Sequence, residues 1–285
     1  PTLHKIEFEA LPLLLNMKLQ FYFFACVYPD PERMRRYYEE EMPELSKNWY
    51  LEESAQAGKY KYDVSFYITG YNHLDYTKRC VESFLQTVPP DLNYELILLN
   101  HGSSDGTKEY FEQIGPHKQL NIAVNGGGAP ATWRILEGEY CIGISNDIVL
   151  LENSIANLLR CIRSDPKIAY AVPSTPNISN LQAPAVSYQT DAQMHEFARQ
   201  NNRYDPFRHE QRARLCNPIA AYRSHVLCNE FCFSGRIYPK KGSSFPDDRI
   251  SCLSRRAGYR CVLVKDAYCH HFGSVTLKSE IQKQG

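Results

Sequence analysis

The sequence predicts an open α/β fold, and the segment between Val64 and Asp147 carries most of that prediction. Within this segment, apolar strand-like runs alternate with polar turns and helices, which is the pattern of a mostly parallel sheet. Four successive strand-like runs each end in a cluster of small polar or acidic residues. Because open α/β sheets bind ligands beyond the carboxyl ends of their strands, these clusters predict a nucleotide-type binding site.

The predicted elements alternate along the chain. Helices are predicted where apolar residues recur with helical spacing, as Val81 and Phe84 do, or where cap residues such as Ser104 come first. The strands are predicted at Asp63–Thr69, Glu95–Leu99, Leu120–Val124, Tyr140–Ile144, Ile168–Val172, Cys216–Tyr222, Arg260–Val264 and Tyr268–His271. The helices are predicted at Leu74–Thr87, from Asp105 onward, and at Thr132–Glu137, Ser154–Ser164 and Asp248–Arg256.

Pro173–Arg214 interrupts this alternation. The segment is polar and aromatic and has no clear period, so no helix or strand is predicted within it. Because a long irregular stretch inside a compact domain usually has a function, we expect this segment to contribute to the choice of substrate.

Residues 1–60 do not follow the α/β pattern, and we predict that they form an N-terminal extension to a domain spanning residues 61–285. One interpretation is a packing extension of that domain. The other is a contact with a membrane surface, a partner or another domain. The apolar stretch Leu11–Val27 is interrupted by polar residues, so it is not predicted to cross a membrane.

The composition excludes some classes of function. Lys and Arg together number 32, as do Asp and Glu, so no broad electrostatic surface for nucleic acid is expected. The 10 cysteines include no C-x-x-C pair and no Cys/His set with zinc-ligand spacing. We therefore expect reduced, buried thiols in a cytoplasmic protein, with the membrane surface as a second location. The chain lacks a distinctive tail at either end, so we expect that it is an excerpt of a longer protein.

Asp147 is the first candidate for chemistry. It follows a buried strand and comes directly after Ser145 and Asn146. A carboxylate at that position can hold a hard divalent cation, which prefers oxygen ligands and bridges phosphates. Taken alone, an Asp after a strand is more often a turn or helix-capping residue, so the assignment depends on its neighbours.

Other segments could also receive a ligand. The run NHGSSDGT, from Asn100 to Thr107, opens a helix, and its backbone N–H groups could bind an anion or a base edge, or could simply begin a capped helix. The turn Asn125–Gly128 (NGGG) would allow close approach of a ligand or another backbone. Downstream, Asp247 and Asp248 precede a helix that ends in RRAGY, where a helix N-cap pair is the alternative to a catalytic role.

From about Tyr62 to Thr276, the order of these motifs resembles the family-2-like glycosyltransferases of the GT-A fold. Each motif alone is weak, and their order and spacing make the resemblance specific. The matched motifs are the opening strand with its TGYN end, GSSDGT, the glycine turn, GEY before ND, the acidic pair, RRAGY and a terminal histidine near Ser and Thr.

This resemblance implies a fold and an activity. The fold would be an α/β, GT-A-type three-layer fold, with a mixed, mostly parallel sheet and helices on both faces. The activity would be transfer of a sugar, with inversion, from a nucleotide-diphosphate sugar to a hydroxyl of a saccharide or glycoconjugate acceptor. Synthesis of polysaccharides or glycoconjugates is the implied setting.

The resemblance also implies roles for individual residues at the nucleotide. Thr69, Tyr71 and Asn100 would line the base. Asp105 and the turn that begins with Asn125 and Gly126 would lie near the nucleoside.

At the diphosphate, Asn146 and Asp147 match the end of the family's D-x-D-like motif, whose last Asp binds Mg²⁺ or Mn²⁺. His270 or His271 would complete the metal or diphosphate site. Because adjacent residues on a strand point to opposite faces, only one of the two histidines should reach it, and His271 is favoured by its place beside the FGS turn.

The acceptor hydroxyl is a poor nucleophile, so a carboxylate must take its proton. Asp247 fits the family's catalytic base by its distance to the RRAGY segment, and Asp248 is the competing candidate. A divalent cation would neutralise the charge on the leaving diphosphate.

Two departures from the family pattern keep a second interpretation open. The family usually has Asp where Asn100 stands, and Ser145 replaces the first carboxylate of D-x-D. The chain could therefore be a catalytically weak protein of the same fold that binds nucleotide-sugars or serves as a scaffold. Loss of metal dependence is also compatible with Ser145.

Two other classes of enzyme fit less well. Gly126-x-Gly128-x-x-Ala131 matches a dinucleotide-binding pattern, but it follows the third strand and contains Pro130. A nucleotidyltransferase would need a basic, glycine-rich loop after the first strand, and Tyr71-Asn72-His73 is not such a loop.

Overall fold

The computed structural model describes residues 60–122, 132–133, 135–178, 181–227 and 246–273. The predicted N-terminal extension lies outside these ranges except for residue 60, and the turn containing Asn125 and Gly126 lies wholly outside them. Within the described ranges, no helix has the length and apolar character needed to cross a bilayer.

Strands and helices follow one another largely as predicted, and the bounds of α1, α3 and β9 match the prediction. The strands are β1 (Tyr62–Gly70), β2 (Tyr94–Asn100), β3 (Lys118–Asn121), β4 (Gly138–Ser145), β5 (Ile148–Val149), β6 (Ile168–Pro173), β7 (His209–Arg212), β8 (Ile219–Arg223), β9 (Arg260–Val264) and β10 (His270–His271). The helices are α1 (Leu74–Thr87), α2 (Thr107–Ile114), α3 (Ser154–Ser164), α4 (Asp191–Asn201) and α5 (Pro246–Arg256), with short helical turns at Pro206–Arg208 and Ser224–Val226.

Among the described residues, eight strands form one mixed sheet in the order β3-β2-β1-β4-β8-β6-β9-β7. The pairs β1–β2, β1–β4, β2–β3 and β6–β9 are parallel, and β8 runs antiparallel to both β4 and β6. β7 is antiparallel to β9 at the edge. The strand order reverses at β1, which lies between β2 and β4. Open α/β sheets bind their ligands at such a reversal.

Apolar side chains cover both faces of the sheet. Phe66 of β1 packs in one cluster with Phe84 of α1 and Leu158 of α3. Tyr67 belongs to a second cluster with Ile250 of α5. Since successive residues of a strand point to opposite faces, the two clusters lie on the two sides of the sheet. The predicted α/β architecture, with helices on both faces, is confirmed.

The prediction that Pro173–Arg214 contains no helix or strand is wrong. This segment contains α4, the helical turn Pro206–Arg208 and the edge strand β7. α4 begins at a standard N-cap, where the Thr190 side chain accepts a hydrogen bond from the backbone N–H of Gln193. Only Met194 and Ala198 of this helix are buried, so its apolar face is too narrow to give a clear period.

A buried network of hydrogen bonds, in addition to apolar burial, holds the segment Pro173–Arg214 to the rest of the domain. The side-chain amide of Asn202, which is fully buried, donates to the carbonyls of Glu152 (2.7 Å) and Tyr268 (3.0 Å) and accepts from the Tyr268 N–H (2.6 Å). The buried Asp266 carboxylate accepts from the Asp205 N–H at 2.7 Å. These bonds fasten the end of α4 to the segment that leads into β10.

We expect Asn202→Ala to lower the free energy of unfolding by about 3 kcal/mol, because three buried hydrogen bonds are lost at about 1 kcal/mol each. Gln200→Ala is the matched control, since Gln200 is exposed and its side chain donates to that of Glu196 at the surface. That change should stay within about 0.5 kcal/mol. Urea denaturation of both variants measures the difference, and equal losses would contradict the role of the network.

Candidate active site

The carboxyl ends of the central strands form the candidate site. In the parallel register, Gly70 at the end of β1 is level with Asn100 at the end of β2, and Thr69 is level with Ser145 at the end of β4. Thr69, near the end of β1, and Tyr71, just after it, are both half-buried there. The predicted convergence of strand ends is therefore present, and the contact of these two residues with a base stays a prediction.

The turn after β1 is fixed by bonds to the turns after β2 and β4. Asn72 has the left-handed backbone conformation (φ 51°), its N–H donates to Ser103 Oγ (2.9 Å), and its Oδ1 accepts from the Ser104 N–H (2.9 Å). The buried Asn146 amide donates to the Asn72 carbonyl (3.2 Å) and to Thr77 Oγ1 (2.9 Å). Asn146 thus ties two strand ends together, and its contact with the nucleotide stays a prediction.

Asn100 and Asp105 also organise these turns. Asn100 is buried. Its side chain accepts from the Ser103 N–H (3.1 Å) and donates to Asn121 Oδ1 (3.3 Å). The Asp105 carboxylate accepts from the Leu74 N–H (2.8 Å) at the start of α1 and from Thr107 Oγ1 (2.7 Å) at the start of α2. Asp105 thus joins the starts of the two helices, and its contact with the nucleoside stays a prediction, as does that of Asn100 with the base.

The structure brings Asp147 and His271 together. His271 Nε2 lies 3.3 Å from Asp147 Oδ2, and both residues are buried. The antiparallel pairing of β5 and β10 places His271 opposite Ile148, and the Phe272 N–H donates to the Asp147 carbonyl (3.0 Å). A carboxylate and an imidazole that are distant in the sequence are thus held side by side at the end of β4.

His270 has different neighbours. Its Nδ1 lies 2.5 Å from the Tyr188 hydroxyl, which in turn is 2.6 Å from the Tyr268 hydroxyl. Burial lowers the pKa of His270 to about 4, and the nearby positive charge of Arg79 acts in the same direction. The imidazole is therefore neutral near pH 7.

Asp247 reaches the same edge of the sheet through β8. Its Oδ2 accepts from the Asn217 N–H at 3.1 Å. Next in the chain, the carbonyl of Pro218 accepts from the N–H of Ser145 at the end of β4 (2.8 Å). Asp248 follows in α5, and its side chain lies outside the described part of the chain.

The family model described as Glycosyl transferase family 2 matches residues 65–227, which is more than half of the chain. The chain belongs to glycosyl transferase family 2. The matched region contains the ends of β1, β2 and β4 together with Asn217, and it stops before Asp247 and His271. The places of those two residues in the site therefore depend on the geometry described above.

Two bacterial polysaccharide synthases resemble part of this family 2 chain. It is 29% identical over 122 residues to the chondroitin synthase of Pasteurella multocida (strain Pm70) and to the hyaluronan synthase of Pasteurella multocida. Each match covers 41% of this chain and 12% of the relative. The chain thus corresponds to a small part of these larger proteins.

Solved glycosyltransferases share the fold. The crystal structure of GalNAc-T7 with UDP, GalNAc and Mn²⁺ matches with a TM-score of 0.56 at 14% identity, over 74% of this chain and 44% of that chain. The Pyrobaculum calidifontis mannosyltransferase PcManGT, in complex with GDP-Man and Mn²⁺, matches with a TM-score of 0.51 at 13% identity, over 91% of this chain and 67% of that chain. At such identities the likeness establishes the GT-A-like fold alone.

The residues at the end of β4 fit a divalent cation, although they form a small donor set. Within the described ranges, no group of three or more His, Cys, Asp or Glu side chains could hold a metal ion. Asp147 and His271 offer one carboxylate and one imidazole, with donor atoms 3.3 Å apart. Neighbouring ligands of an octahedral ion lie about 3.0 Å apart, and protein sites for such ions often take their other ligands from phosphates and water. Asp147 and His271 are therefore the residues that would hold the ion.

The sequence analysis missed Asn217 and Tyr188. Tyr188 stands in the segment Pro173–Arg214, for which no element was predicted, and Asn217 stands inside the predicted strand Cys216–Tyr222, which begins only at Ile219 in the structure. Their partners, His270 and Asp247, are distant in the sequence. A signal for Asn217 existed in its position near the start of the strand that returns to the sheet. Using that signal requires knowing that β8 pairs with β4, which local pattern does not reveal.

Proposed function

We propose that this chain is an inverting glycosyltransferase that moves a sugar from a nucleotide-diphosphate sugar to a hydroxyl of a saccharide or glycoconjugate acceptor. Two contacts near the end of β4 support this proposal most. Asp147 and His271 lie side by side, and Asp247 is bonded to the segment that pairs with β4. A site for a charged diphosphate and a proton acceptor on the acceptor side are the two parts that such a transfer needs.

The donor side would be organised by Asp147 and His271. When held by these two residues, Mn²⁺ or Mg²⁺ would supply Lewis-acid neutralisation of the leaving diphosphate. Thr69, Tyr71, Asn100 and the turn at Asp105 would hold the base and nucleoside. The turn at Asn125 and Gly126, at the end of the third predicted strand, would complete this pocket.

The acceptor side would depend on Asp247. Its carboxylate would take the proton of the acceptor hydroxyl as the new glycosidic bond forms and the bond to the diphosphate breaks. Attack from the face opposite the leaving group inverts the anomeric centre, through a transition state of oxocarbenium character. Asp248 is the alternative for this role.

The likeness to chondroitin and hyaluronan synthases supports polysaccharide synthesis as the setting. The solved neighbours with UDP and with GDP-Man support a nucleotide-diphosphate sugar as the donor. Residues 1–60 would provide a contact with a membrane surface, a partner or another domain.

A panel of nucleotide-sugars, each added with and without Mn²⁺, tests this proposal. We expect at least one UDP- or GDP-sugar to raise the midpoint of thermal unfolding in a Mn²⁺-dependent way. The same donor should then support transfer to an oligosaccharide acceptor with inverted linkage. No stabilisation by any donor would contradict the proposal. Stabilisation without transfer or hydrolysis would favour the binding or scaffold protein to which Ser145 and Asn100 point.

A further inference from the structure

Asn217 contacts the Asp247 carboxylate in two ways. Its backbone N–H donates to Oδ2 at 3.1 Å. One terminal atom of its side-chain amide lies 2.5 Å from Oδ1 and 3.0 Å from Oδ2, and the other lies 2.6 Å from the Tyr222 hydroxyl. A nitrogen at the first position and an oxygen at the second give both atoms a hydrogen-bond partner. The reverse amide orientation would put an amide oxygen against two carboxylate oxygens, none of which can donate a hydrogen bond. The amide nitrogen therefore faces Asp247.

Tyr222 fixes this orientation of the amide. Tyr222 is buried, and its ring stacks on that of Tyr170 with centroids 5.1 Å apart and an interplanar angle of 11°. Burial holds the pKa of Tyr222 well above its usual value, with the nearby Tyr67 and Asp247 acting in the same direction. The phenol therefore keeps its proton and donates a hydrogen bond to the Asn217 side-chain oxygen. The Tyr222 phenol thus donates to the Asn217 amide, and the amide donates to the Asp247 carboxylate.

The link is anchored at the candidate site. Pro218, the residue after Asn217, accepts the N–H of Ser145, and β8 then pairs with β4 from Ile219 onward. Any shift of Asn217 would have to disturb the sheet at the strand end that carries Asp147. Asp247 itself lies in the first turn of α5, which begins at Pro246 and not at Asp248 as predicted, so the N-cap alternative does not apply to it.

We propose that Asn217, held by Tyr222, is the positioning residue that aims the Asp247 carboxylate toward the acceptor hydroxyl. This inference rests on the proposed function. Two donors from one residue restrict the rotation of the carboxylate and leave lone pairs on both oxygens for an incoming hydroxyl. They also stabilise the charged form of the carboxylate, which is the form that can accept a proton. The contact supports Asp247 as the base.

The test compares the steady-state kinetics of the whole protein with those of Asn217→Ala across a range of pH. We expect kcat to fall by about 10- to 100-fold, since small misplacement of a catalytic group has effects of that size. The acid limb of the kcat profile should move to higher pH by about one unit, because a donor to the charged carboxylate is lost. The KM for the donor and its stabilisation in a thermal shift should not change.

A double-mutant cycle separates positioning from general damage. If Asn217 acts through Asp247, then Asn217→Ala should cause no further loss of rate in an Asp247→Asn background. Tyr222→Phe should shift the acid limb in the same direction by a smaller amount, and it keeps the test open if Asn217→Ala does not fold. Tyr170→Phe is its matched control, because it removes a phenol from the same stack whose own bond goes to the Leu215 carbonyl. It should retain the wild-type pH profile.

The outcomes distinguish this inference from the proposed function. Absence of transfer by the wild-type protein would remove the proposed function. Transfer that depends on Asp247 but is unchanged in Asn217→Ala would overturn the positioning role alone. A loss in Asn217→Ala that adds fully to that of Asp247→Asn, or equal effects of Tyr222→Phe and Tyr170→Phe, would overturn it as well.

Discussion

Asp147→Ala is expected to abolish Mn²⁺-dependent binding of the nucleotide-sugar while the domain remains folded. Asp147 is the acidic member of the buried Asp147–His271 pair. With Ser145 in place of a first carboxylate, no second acidic side chain from the same motif can replace it. We expect the donor affinity in Mn²⁺ to fall by at least about 100-fold, since changes in residues that merely support a metal ligand already cause losses of 10- to 100-fold. Titration of the donor with and without Mn²⁺, by calorimetry, measures this.

The two adjacent histidines provide a matched control for the same site. His271→Ala should reduce Mn²⁺-dependent affinity, because Nε2 of His271 lies beside the Asp147 carboxylate. His270→Ala removes the same side chain one residue earlier, where it contacts Tyr188, and should leave the Mn²⁺ dependence intact. Thermal unfolding in the absence of donor checks that all three variants fold. Unchanged Mn²⁺-dependent affinity in Asp147→Ala would falsify its role as a metal ligand.

Local patterns predicted the elements whose stability is mainly apolar. α1 and α3 bury regular stripes that include Phe84 and Leu158, and their observed bounds are those predicted. α4 escaped prediction because it buries only two of its side chains and depends on the non-local bonds of Asn202. Periodicity detects burial along a single element, and it does not detect hydrogen bonds between segments that are distant in the sequence.

In the candidate site, too, the sequence predicted some residues and missed others. Strand ends meet at one edge of a parallel sheet, so the sequence order sufficed to group Thr69, Asn100 and Asp147. Alternation along β10 sufficed to predict that the two histidines have different environments, as they do. Asn217 could not be found in this way, because its role depends on the antiparallel return of β8 beside β4 and on a contact with α5.

Asp247→Asn is expected to stop sugar transfer almost completely while donor binding survives. The substitution keeps the shape of the side chain and removes the group that would accept the proton of the acceptor hydroxyl. Loss of a general base lowers the rate by about 10²- to 10⁴-fold. Because the substitution keeps the size of the side chain and leaves Asp147 and His271 unchanged, Mn²⁺-dependent stabilisation by the donor should be retained. Release of the nucleoside diphosphate at saturating donor and acceptor measures the rate.

Asp248→Asn is the control that assigns the base. Asp248 adjoins Asp247 in α5, and the bonds from Asn217 favour Asp247. Asp248→Asn should therefore transfer sugar at a rate near that of the wild type. Near-normal turnover in Asp247→Asn together with an inactive Asp248→Asn would move the role one residue along and would remove the positioning role of Asn217. Near-normal turnover in both variants would leave an inverting transfer without a proton acceptor. The departures at Ser145 and Asn100 would then be best explained by a protein that binds nucleotide-sugars without using them.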